Sequence, residues 1–321
     1  MQKNAIKTSF FILSDSHAEK GLAIPNVPVD VAIHCGDLTE DSKIHEFQTS
    51  LDLLRHIDAP LKLIIAGNHD FTLDKTAFEK KVAEFQQLYL ARIQISTKPN
   101  MKMSSEDVVF LGKGIHSFAL RNGAKLTVYA SPFTPSLEAD DWGFSTNEER
   151  NHEFNIPSDV DIVLTHGPPN GILDRAASKQ RLGCEHLFAA VARARPKMHC
   201  FGHAHNGWGA KFVAWREVPS KKPSHFSDIN NEGSVLVENL GSILPWKWDT
   251  EDVVREKESR LEDLRRRGYR RTSHCAGDEQ PIEVGKITLF VNAAIQGAKD
   301  GTQFPWVVDI DLPAAVALEG C

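Results

Sequence analysis

Five short clusters of polar residues carry the side chains best suited to chemistry, and each cluster directly follows an apolar run. Carboxylate, amide and imidazole groups, with no thiolate among them, form a ligand set that suits divalent manganese, iron, zinc or cobalt. Seven such side chains exceed what one ion normally takes from a protein, whereas two ions sharing a carboxylate would use them all. The seven candidate metal ligands are Asp15, His17, Asp37, Asn68, His166, His203 and His205.

Taken singly, the clusters have ordinary explanations. Asp-x-His is often a cap beside a surface residue, and Gly-Asp after a strand is a common turn. Gly-Asn-His-Asp at residues 67–70 is rarer, although a turn held by an asparagine side chain would account for it. Gly-His-Ala-His at residues 202–205 has a structural histidine pair as its alternative. Because chance would have to place every cluster directly after a strand, the ordered set indicates a metal site.

The apolar runs that precede the clusters are typical of strands buried on both faces, since they are short, rich in β-branched and aromatic residues, and unalternating. Apolar residues at helical spacing predict helices over residues 43–56, 75–89 and 185–194. Strands that alternate with helices predict α/β layers with a mostly parallel central sheet. The length fits one large α/β domain as well as two domains. Sites in such sheets lie beyond the carboxyl ends of the strands, so one sheet would bring all the clusters to one rim.

Three further segments depart from this alternation. Residues 108–130 look like consecutive strands with glycine-containing turns, which predicts an antiparallel meander, and residues 143–159 read as a polar surface helix or loop. Residues 249–271 have acids early and arginines late, an order that complements a helix dipole, with Gly268 as the stop. A solvated surface helix is the simplest interpretation of that segment, and a basic lip for a phosphorylated substrate is the alternative.

The composition and net charge exclude several classes of protein. The 321 residues carry a formal net charge of −6, with 41% hydrophobic and 25% charged residues. These values exclude disordered and fibrous chains and argue against a stable nucleic-acid partner. The 5 cysteines include no Cys-x-x-Cys pair, which favours free thiols in a reducing compartment. Since there is neither a signal-peptide pattern nor an apolar stretch that approaches a membrane span, we expect a cytoplasmic protein without membrane contact.

In order, the motifs DSH, GDLTED, GNHD, HGPP and GHAH resemble the calcineurin-like metallophosphoesterase superfamily. Longer stretches, among them LIIAGNHDF, RPKMHCFGHAHNGWG and PWVVDIDLP, are similar to the MPPED-type phosphodiesterase subfamily. The resemblance implies an α/β fold in which a two-sheet β-sandwich is flanked by helices, in four αββα layers. It also implies a single domain over residues 1–321, with insertions at about residues 219–233 and 246–281.

The resemblance further implies that the ligands divide between two divalent metal ions. Manganese is the first expectation, with iron, zinc, cobalt or magnesium as alternatives. Asp37 would bridge the two ions. One ion would be held by Asp15, His17 and His205, and the other by Asn68, His166 and His203.

By the same resemblance, His69 would lie over the scissile phosphate and assist the leaving group, and Asp70 would orient His69. Asn206 and Arg175 lie shortly after ligand clusters and are candidates for contact with the substrate. The implied reaction is hydrolysis of a small phosphodiester, a cyclic or other nucleotide, by direct attack of a hydroxide that bridges the ions. The sequence leaves the oligomeric state open.

Other functions remain as alternatives to a phosphodiesterase. A phosphomonoesterase would use the same metal site, and only an assay separates the two. Protein serine/threonine phosphatases are disfavoured because LTED rather than VDRG-like residues follow Asp37. A non-catalytic scaffold is disfavoured because such proteins usually lose metal ligands and this chain keeps all 7. The arginine cluster permits nucleic-acid cleavage, but no basic-aromatic stripe supports it.

Overall fold

A computed structural model of the chain describes residues 5–19, 21–22, 24–89, 108–135, 142–146, 152–296 and 303–315. These residues form two large sheets, one small sheet and five α-helices. The strands are β1 (Ala5–Leu13), β2 (Val31–His34), β3 (Leu61–Ile64), β4 (Val108–Phe110), β5 (Gly114–Ala119), β6 (Lys125–Ser131), β7 (Thr134–Pro135), β8 (Ser145–Thr146), β9 (Ile162–Thr165), β10 (Met198–Phe201), β11 (Gly209–Trp215), β12 (Ile229–Asn239), β13 (Arg270–Ser273), β14 (Ile287–Asn292) and β15 (Trp306–Pro313). The helices are α1 (Ile44–Arg55), α2 (Lys75–Tyr89), α3 (Glu185–Ala194), α4 (Leu240–Ile243) and α5 (Glu251–Arg267).

Both large sheets are mixed. The six-stranded sheet has the order β13-β15-β1-β2-β3-β4, and β15 runs antiparallel to β1 while the other pairs are parallel. The seven-stranded sheet has the order β12-β11-β14-β10-β9-β6-β5, with a parallel centre formed by β14, β10, β9 and β6. Strands β7 and β8 form the small sheet. Parallel strands at both centres are the elements that end in the ligand clusters.

Alternate residues of the central strands face different layers. Phe10 and Ile12 of β1 belong to the buried cluster between the sheets, together with Leu164 and Cys200 of the other sheet. Their neighbours, such as Phe11, point outwards into a second cluster that α1 covers. Burial of both faces explains why the runs are continuously apolar.

The seven-stranded sheet repeats this arrangement on its own outer face. Val163 and Phe201 pack there against Leu187, Phe188 and Val191 of α3. Helix, sheet, sheet and helix therefore form four layers around three buried clusters, as the resemblance implied. The prediction of one central sheet was wrong, because the strands belong to two sheets. A buried apolar run shows that both its faces are covered, but it does not show which sheet contains it.

The helices lie close to their predicted positions. Residues 43–56, 75–89 and 185–194 contain α1, α2 and α3. Helix α5 has Glu251 and Asp252 in its first turn, and its C-terminal cap is Gly268 at φ +77°. The described part of the chain has no helix with the length and apolar character needed to cross a membrane.

Residues 108–130 do not form a meander. Strand β4 pairs with β3 in the six-stranded sheet, while β5 and β6 form a hairpin in the seven-stranded sheet. The chain crosses between the sheets at residues 111–113. Of residues 143–159, residues 147–151 lie outside the described residues, and the rest form a loop with the short strand β8.

The two segments expected as insertions contain regular structure. Strand β12 begins at Ile229, inside residues 219–233, and pairs with β11. Residues 246–281 contain α5 and then β13, which joins the six-stranded sheet beside β15. Arg271 of β13 donates a hydrogen bond of 2.8 Å to Asp309. Arg267 of α5 pairs with Asp263 at 2.9 Å. Because these arginines have carboxylate partners within the fold, the solvated helix describes the segment better than the basic lip.

Candidate metal centre

The strand ends of both sheets meet at one edge of the sandwich. The six-stranded sheet contributes Asp15 and His17 after β1, Asp37 after β2 and Asn68 after β3. The seven-stranded sheet contributes His166 directly after β9, with His203 and His205 after β10. The structure therefore brings all seven candidate ligands together, in two overlapping clusters.

Four of the candidate ligands occupy the left-handed backbone region that residues other than glycine rarely adopt. Their φ angles are +56° for Asp15, +43° for His17, +54° for Asp37 and +63° for His203. Hydrogen bonds between the loops hold this backbone, since Asp15 N donates to the carbonyl of Gly36 at 3.0 Å and His17 N to that of Asp37 at 3.1 Å. Strained residues gathered at one edge are characteristic of a functional site.

The first cluster joins Asp15, His17 and His205, whose ligand atoms lie within 4.8 Å of one another. The Nε2 atom of His205 is 3.1 Å from Asp15 Oδ1. His17 is buried, and its Nε2 has no hydrogen-bond partner among the described residues. A buried imidazole nitrogen without a partner is costly, and a metal ion beside Asp15 and His205 would satisfy it.

The second cluster joins Asp37, Asn68, His166 and His203. Asn68 Oδ1 is 2.9 Å from both His166 Nε2 and His203 Nδ1, and His166 Nε2 is 3.2 Å from Asp37 Oδ2. Ligands bound at about 2.1 Å to one ion are separated by ~3.0–3.4 Å, so these distances fit a common ion. His166 Nδ1 lies 2.9 Å from the carbonyl of Cys35, which leaves Nε2 to face the ion.

Asp37 faces both clusters. Its Oδ2 lies 3.8 Å from His17 Nε2 and 3.2 Å from His166 Nε2. Its Oδ1 accepts a hydrogen bond of 2.8 Å from the backbone N–H of His69. One carboxylate held between two ligand sets is the arrangement that a shared ligand for two ions requires.

Two glycines make room for the carboxylates. A Cβ atom on Gly67 would lie 2.2 Å from Asp37 Oδ1, and one on Gly202 would lie 2.1 Å from Asp15 Oδ2. Any side chain at these positions would displace a candidate ligand. The glycines of Gly-Asn-His-Asp and Gly-His-Ala-His are therefore required for close approach of the loops.

The buried charges keep the carboxylates ionised. Burial opposes ionisation of Asp37, but the charge of His166 and its hydrogen bond outweigh burial and lower the Asp37 pKa to about 2. Burial likewise opposes ionisation of Asp15, and its hydrogen bond with His205 and the charge of His205 still lower its pKa. Burial lowers the pKa of His203 to about 4. Two carboxylates that stay negative at neutral pH favour binding of cations.

The His69 ring lies next to the first cluster, with its centroid 4.7 Å from that of His17. Its Nδ1 is 2.7 Å from the carbonyl oxygen of Glu40. A carbonyl oxygen only accepts, so Nδ1 carries a proton and Nε2 is the atom free to exchange one. His69 is thus placed and oriented for proton transfer at the edge of the metal clusters.

Asp70 acts on the loops rather than directly on the His69 ring. Its buried carboxylate accepts hydrogen bonds from the backbone N–H groups of Gly67, Leu38 and Thr39, and from the Thr39 hydroxyl at 2.7 Å. The same hydroxyl lies 3.1 Å from the His69 carbonyl. Burial, and then the charge of Asp37, raise the pKa of Asp70 to about 6. Any orientation of His69 by Asp70 is therefore transmitted through the backbone.

Glu40 and Trp142 are neighbours of the site that the sequence did not single out. Glu40 Oε2 lies 2.8 Å from His17 Nδ1, in addition to the contact of its carbonyl with His69. The Trp142 ring lies on His69 with a centroid distance of 4.2 Å. Glu40 falls inside the GDLTED motif, so the sequence offered a signal for it. Trp142 lies in a polar segment after no predicted strand, so no local signal marked it.

The two candidate substrate contacts lie on adjacent segments. Arg175 and Asn206 are both exposed. The Asn292 side chain ties their segments together, since it donates hydrogen bonds of 2.9 Å to the carbonyls of Leu173 and Ala204. The structure therefore places the segments that carry Arg175 and Asn206 next to each other.

Comparison with known proteins agrees with this geometry. The profile of the calcineurin-like phosphoesterase family matches residues 10–207, which include all the candidate ligands. Human metallophosphoesterase domain-containing protein 1 is 31% identical over 209 residues, which are 63% of this chain and 62% of that protein. Probable rhamnogalacturonate lyase C of Emericella nidulans is 31% identical over 206 residues, which are 63% of this chain and 18% of that protein.

These matches cover less than two thirds of the relatives' own lengths. Among solved structures, purple acid phosphatase PPD1 from yellow lupin (Lupinus luteus) seeds aligns over 94% of this chain and 47% of its own, at 10% identity. Its TM-score of 0.37 is too low to support an inference. The family profile covers more than half of this chain and all of its ligand motifs. The chain therefore belongs to the calcineurin-like phosphoesterase family.

Proposed function

We propose that the chain hydrolyses phosphodiesters with two divalent metal ions bound at this centre. The observation that supports it best is the position of Asp37, whose carboxylate faces His17 at 3.8 Å and His166 at 3.2 Å. Asp15, His17 and His205 would hold one ion, and Asn68, His166 and His203 the other. Manganese is our first expectation, although the donor set also suits iron, zinc or cobalt.

Two ions in such a site supply Lewis-acid activation of water and of the phosphoryl group. The chain's own contribution is orientation and proton transfer. Because the Glu40 carbonyl holds Nδ1 of His69, the Nε2–H of a protonated His69 would donate to the departing oxygen. This proton would neutralise the developing alkoxide, a contribution of roughly 10²- to 10⁴-fold.

Arg175 and Asn206 complete the proposed substrate site. Both are exposed polar side chains on segments that the Asn292 side chain joins by hydrogen bonds, and they would contact phosphate oxygens or the substituents of a small nucleotide. A guanidinium group binds phosphate oxygens well because its N–H groups match their geometry.

The experiment is an assay of the metal-loaded protein with bis-p-nitrophenyl phosphate and p-nitrophenyl phosphate, together with analysis of bound metal. We expect close to two ions per chain and faster turnover of the diester. Faster turnover of the monoester would instead identify a phosphomonoesterase. Protein without metal and without turnover of any phosphoester, even after manganese addition, would reject the proposal and favour a scaffold.

A further inference from the structure

We propose that Trp142 is the wall against which the leaving group binds, and that the leaving group of the substrate therefore carries a planar aromatic ring. The inference rests on the proposed function, because it takes His69 as the proton donor to that oxygen. The class of substrate is an aryl or nucleobase-bearing phosphodiester. Trp142 would be a specificity-determining residue for this class.

The position of Trp142 is built into the site. Gly143 N donates a hydrogen bond of 2.9 Å to the carbonyl of the candidate ligand Asn68. Phe144 N donates at 2.8 Å to the side chain of Asp74. A Cβ atom on Gly143 would lie 2.6 Å from Phe71 Cα, so the two segments are in close contact. These contacts fix residues 142–144 to the loop that carries Asn68 and His69.

The indole contacts His69 and is only partly covered by the rest of the protein. Its ring meets the His69 ring at 4.2 Å and an angle of 39°, yet the side chain keeps 43% of its surface exposed. Lys81 Nζ lies 5.9 Å from the indole and 4.7 Å from the Phe71 ring. The result is an aromatic surface with a cation at its rim, in contact with the proposed proton donor.

The position of the leaving group follows from that of His69. A proton donor must come within about 2.6–3.2 Å of the oxygen that it protonates. The substituent on this oxygen then lies within a few ångströms of His69 and meets the indole beside it. A planar ring stacks on an indole with a gain that a small alkyl group does not obtain, typically ~1–3 kcal/mol per ring.

The test compares phenylphosphonate with methylphosphonate, which share the phosphoryl group and differ in the ring. Their dissociation constants are measured by titration calorimetry on manganese-loaded protein. We expect wild-type protein to prefer phenylphosphonate. Trp142→Ala should weaken phenylphosphonate binding by about 5- to 150-fold and leave methylphosphonate unchanged, whereas Trp142→Phe should retain most of the preference. Trp248, which is 77% exposed and also lies near a lysine, provides the matched control Trp248→Ala.

Each outcome decides between the alternatives. The inference is overturned if both Trp142 variants weaken the binding of the two phosphonates equally. It is also overturned if they weaken the binding of neither phosphonate. In either case the ring only supports His69. If wild-type protein binds methylphosphonate but shows no preference for the phenyl compound, the phosphoryl site stands and the aromatic wall does not. If neither phosphonate binds and no phosphoester is hydrolysed, the proposed function fails and the inference fails with it.

Discussion

The Asp37 carboxylate faces histidines of both ligand clusters. Asp37→Asn removes the negative charge between the two ion positions while it keeps the size of the side chain. We expect loss of both ions, because the remaining ligands include only one other carboxylate. Metal content after dialysis, measured by mass spectrometry, checks this. Asp52→Asn is the control, since Asp52 pairs with Arg55 on the exposed face of α1. Normal metal content in Asp37→Asn would exclude the bridging role.

His69 touches the clusters without belonging to the proposed ligand sets. His69→Ala should keep wild-type metal content and lower kcat by roughly 10²- to 10⁴-fold on a diester with a poor leaving group. The loss should be much smaller with p-nitrophenolate, which departs without a proton. His45→Ala, at an exposed position of α1, is the control. Equal losses on both substrates would argue against proton donation to the leaving group.

The Glu40 side chain contacts the ligand His17, while its carbonyl contacts His69. Glu40→Gln removes the charge and keeps the carbonyl, so the two roles separate. We expect metal affinity to fall about 10- to 100-fold, as is typical when a partner of a ligand histidine is lost. Turnover at saturating metal should change little. Competition with a chelator measures the affinity, and Asp41→Asn, at the adjacent exposed carboxylate, should leave it unchanged.

Individual residues also show how much of the site could be predicted from the sequence. The candidate ligands could be identified because they follow five strands, each ending in a recognisable short motif. Trp142 could not, because its importance arises from contact with His69, far away in the chain. Glu40 lies inside a motif, but its contact with His17 appears only in the fold. Asp70 shows the same limit, since its carboxylate binds the backbone of the Asp37 loop as well as its own. Motifs identify groups, whereas contacts between loops define what those groups do.

At the scale of elements, the contribution of the C-terminal cap of α5 to stability can be tested with one substitution. Gly268 caps this helix at φ +77°, and a Cβ atom there would meet only Pro25 atoms at ordinary distances of 3.5 Å or more. Gly268→Ala should therefore cost about 1–2 kcal/mol of unfolding free energy through backbone strain alone. Urea unfolding measures it. Gly112, which has open space and no positive φ, is the control, and Gly112→Ala should not destabilise the protein. Equal effects would contradict the cap.

The helices and strands themselves could be predicted from the sequence, but their arrangement in sheets could not. The three main helices and the buried strands follow from periodicity and apolar runs. The assignment of strands to two sheets does not, because β2 and β9 are both short and buried throughout. Strand β4 was misplaced for this reason. Strand β4 pairs with β3, and no property of the three residues of β4 indicates this partner.

At the scale of the whole molecule, Asp309 links three strands of the six-stranded sheet. Its buried carboxylate in β15 binds Ser9 at 2.6 Å and Lys7 at 3.1 Å from β1, and Arg271 at 2.8 Å from β13. Burial opposes ionisation, but the hydrogen bonds from Ser9 and Arg271 outweigh it and lower the Asp309 pKa. A carboxyl group whose pKa is lowered in the folded state stabilises that state above its ordinary pKa.

We therefore expect Asp309→Asn to lower the free energy of unfolding by about 1–3 kcal/mol at neutral pH. The difference from wild type should persist down to about pH 4. It should then shrink as the pH falls through the folded-state pKa, where the wild-type carboxylate becomes protonated. Urea unfolding between about pH 2.5 and pH 7 checks this. A difference that does not change with pH would show that the charge is unimportant.

The ligands of each proposed ion come from opposite halves of the sandwich. Asp15 and Asn68 belong to one sheet, and His205 and His203 to the other. Bound ions would accordingly act as non-covalent cross-links between the halves, in parallel with the apolar layer in which Trp208 and Trp306 pack 5.3 Å apart. Since an ion that binds only the native chain stabilises it by about 2.7 kcal/mol at a hundred times its dissociation constant, cofactor supply would regulate the lifetime of the protein as well as its chemistry.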